Sequence, residues 1–248
     1  MVEMKKIFNN AIFWVGTAVL TITFFLSGQV YMEQLIDIYA GYSEKKGILW
    51  FEVFQYCITS ENGLLFIPIC TPLVASTHAE MELRSRYALF YCNRIGKRRY
   101  YLKKLAECII PGGLMVIFSE LIVVLLVYLK MSGISEKLGE NDIRNMLVIT
   151  LIILIQGFLN GIFWAGVGGV SAVVTKNLYA AYAIPFVLYY VLTVFQERFY
   201  QSLFFFSPKY WGASLYYGEG SYWSILPGMC IICVSCFMLA IKRRIRNV

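Results

Sequence analysis

The stretch EMELRSRYALFYCNRIGKRRYYLKK, residues 80–104, is the one long basic and aromatic interval in a chain otherwise built from apolar runs. It carries Arg84, Arg86, Arg94, Lys97, Arg98, Arg99, Lys103 and Lys104, out of 22 lysines and arginines in all. A charge block between two hydrophobic segments fixes the side of a bilayer on which it lies, because basic loops stay on the cytoplasmic face. Its embedded aromatics, Tyr87, Phe90 and Tyr91, are not needed for orientation and call for a second explanation.

The composition around this stretch points to the membrane. The 248 residues are 59% hydrophobic and 17% aromatic, with only 15% charged, and the mean hydropathy is +0.64. A soluble domain runs nearer to about 25% charged residues. The net charge of +7 does not imply nucleic acid as a partner. The cations cluster at the ends of apolar runs, where they meet anionic headgroups of the lipid bilayer.

The apolar pattern predicts an all-α membrane protein, one domain over residues 1–248, with six transmembrane helices near 11–32, 63–79, 114–129, 146–175, 178–195 and 223–241. A helical span needs about 20 apolar residues, which the chain supplies six times. Residues 1–10 read as an interfacial helix with Lys5 and Lys6 at the headgroups, and Asn9 or Asn10 as the cap of the first span. Thr17, Thr21 and Thr23 are placed to return hydroxyl bonds to their own helix. Residues 33–61 read as a partly structured segment resting on the far interface. Pro68 and Pro72 predict a kinked or broken second span, since each removes a backbone donor. Pro111-Gly112-Gly113 predicts another break, between an amphipathic entry helix at 99–110 and the third span. Gly157, Gly161, Ala165 and Gly169 recur every four residues and make a face for close helix contact, expected to pack within one subunit. With both termini inside, about fifteen of the 22 cations fall on the cytoplasmic side, as the positive-inside rule requires.

Little here supplies covalent chemistry. Gly96-Lys97 is followed by Arg98 and lacks a glycine five residues earlier, so it is no phosphate-binding loop. His78 is the only histidine, and a helix-end position at the interface accounts for it. Cys230, Cys233 and Cys236 lie inside an apolar run and read as packing residues, so no metal site is expected. No Gly-x-Ser-x-Gly elbow occurs, and the chain is read as no enzyme.

One ionisable residue sits within a span, Glu120. A charge at that depth costs roughly 2.5–3.5 kcal/mol on insertion scales, so it must face protein or water or keep its proton. Two roles are open to it. It can hydrogen-bond between helices, with Gln156 or Asn160 of the fourth span, or it can line a cavity that attracts a cationic cargo. The ladder Tyr179, Tyr182, Phe186, Tyr189 and Tyr190 around Pro185 is either helix packing or the lining of a path for an amphipathic ligand.

Six spans, a basic amphipathic loop between the second and third, and about 250 residues together resemble the ABC-2 class of ABC-transporter permeases. The acidic end of the second span, Glu80-Met-Glu82, is similar to that family's pattern, as are a short helix near 85–93 and the basic run from Arg94 to Leu105. Phe206-Ser207-Pro208-Lys209-Tyr210-Trp211 is similar to the family's re-entrant outer hairpin between spans five and six. The resemblance implies a cytosolic coupling helix, with Glu80, Glu82, Arg84, Arg86, Tyr87, Phe90, Tyr91 and Arg94 meeting a separate ATPase subunit. It also implies a second permease copy or paralogue, and ATP and Mg bound by the partner ATPase, with no cofactor in this chain. Glu120, Gln156, Asn160, Tyr182, Phe186 and Tyr189 are the corresponding candidates for a translocation path, and Pro208, Tyr210 and Trp211 for the outer hairpin. Small members of the family export amphipathic, antimicrobial or toxin peptides, and exporters of peptides like the phenol-soluble modulins are the nearest subgroup. Alternatives are a permease for drugs or lipids, and a non-transporting binding, immunity or sensor protein. A plasma-membrane location follows from either kind of reading.

Overall fold

A computed structural model describes residues 10–39, 49–85, 87–133, 140–200, 202–213 and 224–246. Among these residues every regular element is helical. The helices are α1 (Ala11–Ser27), α2 (Gln29–Tyr39), α3 (Leu49–Thr59), α4 (Glu61–Cys70), α5 (His78–Arg84), α6 (Tyr87–Ile95), α7 (Lys97–Met131), α8 (Glu140–Thr175), α9 (Ala180–Phe199), α10 (Pro208–Gly212) and α11 (Ile225–Arg246). Five stretches are long and apolar enough to cross a bilayer, and the bent pair α1–α2 makes up to six. The chain is thus an all-α, multi-pass membrane bundle. The interfacial helix expected at residues 1–10 lies outside the described residues.

Local rules account for several ends and joints. Asn10 caps α1, its side-chain oxygen accepting from the Ile12 amide at 3.0 Å. Inside α1 the Thr17, Thr21 and Thr23 hydroxyls donate to carbonyls one turn back, at 2.9, 2.8 and 2.7 Å. These bonds hide three hydroxyls from the apolar surroundings. The first span does not run straight through residue 32. It turns by 42° between α1 and α2, at Gly28, where Cys57 of α3 comes so close that a Cβ would lie 2.1 Å from its Sγ.

The second span breaks where its prolines stand. α4 runs to Cys70, tightens into a 3-10 turn at Thr71–Leu73, and resumes as α5 at His78. Ser76 in the break donates to the Ala165 carbonyl of α8 at 2.8 Å, so neighbouring protein covers this irregular backbone.

The second expected break is absent. α7 is continuous from Lys97 to Met131 through Pro111, so the entry helix and the third span are one 35-residue element. Gly112 and Gly113 are there for contact rather than for a turn. A Cβ at Gly161 of α8 would lie 2.5 Å from the Gly112 carbonyl oxygen, and one at Gly112 would lie 2.6 Å from Ala165 Cβ. The small-residue face of α8 therefore packs on α7 within one chain, which gives the bundle its central seam.

The segment 33–61 also departs from its reading as a cover resting on the interface. α3 carries the buried residues Leu49, Phe51, Val53, Phe54, Cys57 and Ile58. They belong to the main apolar core with Phe13, Leu20 and Phe24 of α1 and Met115, Val123 and Val127 of α7. Trp50 meets Tyr128 edge-on at 5.4 Å. A second, smaller core lies at the basic end, formed by Ala79, Leu83, Ala88, Cys92, Tyr100, Leu105, Val173, Phe237, Ile241 and Ile245.

Candidate functional site

The basic stretch folds into three pieces: α5, α6 and the first turns of α7. Gly96 divides the last two with φ +85°, a conformation that side-chain-bearing residues rarely adopt. α6 is short and two-sided. Ala88 and Cys92, four residues apart, are buried against the smaller core, while Asn93 and Arg94 are exposed and Phe90 is 76% exposed. Burial pushes the Cys92 thiol up from its ordinary pKa, which suits a packing residue rather than a reactive one. The helix begins at Tyr87 and ends at Ile95, two residues later at each end than the 85–93 read from the sequence. Arg86 and the Tyr87 side chain lie outside the described residues.

The acids of this stretch point inward. Glu80 is 1% exposed, and its Oε1 accepts from Arg244 Nη2 of α11 at 3.4 Å. Glu82 Oε1 lies 2.6 Å from Lys104 Nζ, and Glu82 Oε2 accepts from the Tyr100 hydroxyl at 3.3 Å. Lys104 is only 6% exposed and also pairs with Glu107 one turn on. Lys103 donates to the Tyr91 hydroxyl and sits 4.8 Å from that ring's centroid. These links tie α5, α6, α7 and α11 into one charged knot. Of the eight residues assigned to a partner ATPase, Arg84, Phe90 and Arg94 lie on the open surface, whereas Glu80 and Glu82 brace the fold.

Glu120, Gln156 and Asn160 converge beyond the midpoint of the bundle, away from the basic end. All three are buried. A Cβ at Gly157 would lie 2.0 Å from Glu120 Oε1, so the missing side chain makes room for the carboxylate against α8. A cavity of about 70 Å³ lies here, walled by Gln55, Ile58 and Thr59 of α3, Glu120 of α7, Ile153, Gln156 and Gly157 of α8, and Gly212–Ala213 at the end of α10. Gln156 Nε2 donates to the Trp211 carbonyl at 3.2 Å and so fastens α10 over the cavity. Glu120 Oε2 and Asn160 Oδ1 have no hydrogen-bond partner. Sequence reasoning misses the contributions of Gln55 and Thr59, although Phe51, Phe54 and Ile58, with Val53 and Cys57, recur at helical spacing and mark the face that enters the core.

The aromatic path does not join this cavity. Tyr182 sits toward the basic end, its hydroxyl 3.5 Å from Thr77 Oγ1. Phe186 is exposed, and Tyr189 is buried against Trp164 with ring centroids 5.8 Å apart. Tyr179 and Tyr190 face outward, so the ladder splits between packing and the bundle surface. In the α10 region Pro208 and Trp211 are buried, Trp211 stacks on Trp164 at 6.0 Å, and Tyr210 packs on Phe204 at 4.9 Å. Residues 214–223, which would complete a hairpin, lie outside the described residues.

Among the described residues no group of three His, Cys, Asp or Glu side chains could hold a metal, and all seven cysteines are free. The chain was compared with protein-family models, with curated proteins and with solved structures, and it matches none of them.

Proposed function

We propose that this chain is the membrane-spanning subunit of an ATP-driven exporter of the ABC-2 permease kind, moving amphipathic peptides outward with a separate ATPase. The single observation that carries the reading is α6. It is a short helix at the basic end, anchored inward by Ala88 and Cys92, with Phe90 bare to solvent and Arg94 beside it. An exposed aromatic with a cationic rim is the arrangement expected of an anchor for a protein cleft. The knot around Lys104 ties that anchor to α5, α7 and α11, so a push on α6 reaches three transmembrane elements.

In this reading the basic end is cytoplasmic, both termini are inside, and the chain lies in the plasma membrane. The chain itself catalyses nothing, and ATP and Mg bind in the partner. The peptide path is assigned to the seam between two permease subunits, as the family resemblance implies, and not to the cavity of about 70 Å³ at Glu120. The same cavity favours the second reading, a non-transporting membrane protein that binds or senses a small ligand.

The test is co-expression with any ABC ATPase encoded beside this chain, followed by uptake of a cationic amphipathic peptide into inverted vesicles. ATP-dependent uptake with wild type, lost in Phe90→Asp together with ATPase co-purification, supports the exporter. Retention of both in Phe90→Asp, or the absence of any neighbouring ATPase, overturns it.

A further inference from the structure

The cavity under α10 combines features that nothing in an apolar bundle requires. Its wall includes a carboxylate that is 1% exposed, with Oε2 unpartnered. No lysine, arginine or histidine lines it among the described residues. The remaining polar groups are mostly oxygen-bearing: the amides of Gln55 and Gln156 and the hydroxyl of Thr59, which itself donates to the Gln55 carbonyl at 2.8 Å. One turn further along α8, Asn160 keeps an unpartnered buried Oδ1. A buried polar atom without a partner costs free energy, and an acid at this depth costs more. Interhelix glue alone does not account for the arrangement: Glu80, whose Oε2 is likewise unpartnered, faces Arg244 through Oε1, whereas the cavity at Glu120 has no cation in its wall among the described residues.

We propose that this cavity is a binding site for a small monovalent cation, held by the Glu120 carboxylate with the side-chain oxygens of Gln55 and Gln156. The cavity, about 70 Å³, admits a bare sodium or potassium ion with a water, or a methylammonium, and its oxygen donors suit these better than a quaternary amine, which has no N–H to donate. Gln156 also holds the Trp211 carbonyl, so occupancy of the site tightens α10 onto α3 and α8. Trp211 and Trp164, stacked at 6.0 Å, stand beside the site as reporters. The inference does not depend on the exporter reading, because it requires neither an ATPase nor a peptide.

The experiment uses the full-length chain in lipid nanodiscs, with choline chloride holding ionic strength constant. Sodium, potassium and methylammonium chloride are titrated separately while tryptophan fluorescence and thermal stability are followed. At least one of the three is expected to give a saturable fluorescence change and a rise of several degrees in melting temperature. Selectivity among them distinguishes a metal-ion site from an ammonium site. Glu120→Gln, which keeps the shape, is expected to weaken the apparent Kd at least ten-fold while melting as wild type does in choline alone. Gly157→Ala, which pushes the carboxylate aside, is expected to act in the same direction. A response equal in Glu120→Gln and wild type overturns the proposal, as does a change that only tracks ionic strength, or none with any of the three cations.

Discussion

The two ends of this bundle treat a buried carboxylate differently: among the described residues, one faces it with a cation and the other does not. At the basic end, Lys104 lies between Glu82 and Glu107, Glu80 meets Arg244, and Tyr91 and Tyr100 donate or accept across the same knot. Across the seam, Glu120 is as buried as Glu80, and each keeps one oxygen, Oε2, without a partner, but among the described residues no cation lines the cavity at Glu120. A partnered knot resists rearrangement, because breaking one member leaves an uncompensated charge. A cavity with spare acceptors is ready to receive something. The difference separates where the molecule is braced from where it can bind.

Substitutions test that contrast, and the largest effect falls on the seam between the ends. In Gly161→Val, new side-chain atoms would meet the Gly112 carbonyl, which is backbone and cannot move aside. A loss of about 3 kcal/mol or more is expected, read as failure to recover a monodisperse protein in detergent. If the variant is well behaved, the close approach of α7 and α8 is not what joins the two ends.

Next comes the brace itself. Arg244→Ala strands the buried Glu80 carboxylate, and a destabilisation of about 2–3 kcal/mol is expected for a partly buried pair. The double variant Glu80→Gln with Arg244→Ala should recover part of that loss in a thermal melt, since no charge is then left alone. Equal losses in the single and double variants would mean that the knot is not held by charge.

Glu120→Gln should behave quite differently. It removes no existing hydrogen bond of Oε2, so stability without added small cations should stay within about 1 kcal/mol of wild type. A loss as large as that of Arg244→Ala would make the far end a brace too, and the contrast would disappear. The smallest effect belongs to the surface of α6. Phe90→Ala should leave the melt within about 0.5 kcal/mol, whereas Ala88→Asp, on the opposite and buried face of the same helix, should cost several times as much.

The sequence made some of this visible and hid the rest for physical reasons. Apolar runs located the crossing helices, and the prolines at 68 and 72 located a real break, because both signals act within a few residues. Pro111-Gly112-Gly113 carried similar local signals and misled, since a neighbouring glycine on α8 turns these positions into a contact. Glu80 and Glu82 read as part of a contact with a separate ATPase. Their partners are distant in sequence: Lys104 is 22 positions from Glu82, and Arg244 is 164 from Glu80. The Glu120–Gln156–Asn160 grouping was legible because each is a polar residue stranded in an apolar run. Gln55 and Thr59 sit in a segment whose apolar face, Phe51, Val53, Phe54, Cys57 and Ile58, is spaced as a helix, but only the fold shows which neighbours it meets.

One further consequence concerns the length of α7. At 1.5 Å per residue its 35 residues extend about 52 Å, against a hydrocarbon thickness of about 30 Å. Lys104, gripped by the knot, and Glu120, beside the cavity, are thus stations on one continuous helix, about 24 Å apart along its axis. Where the helix turns as one piece through Pro111, a displacement at one station moves the other. A tilt of a few degrees imposed at the basic end would sweep the carboxylate sideways by an ångström or more, about the margin that separates a well-coordinated ion from a released one.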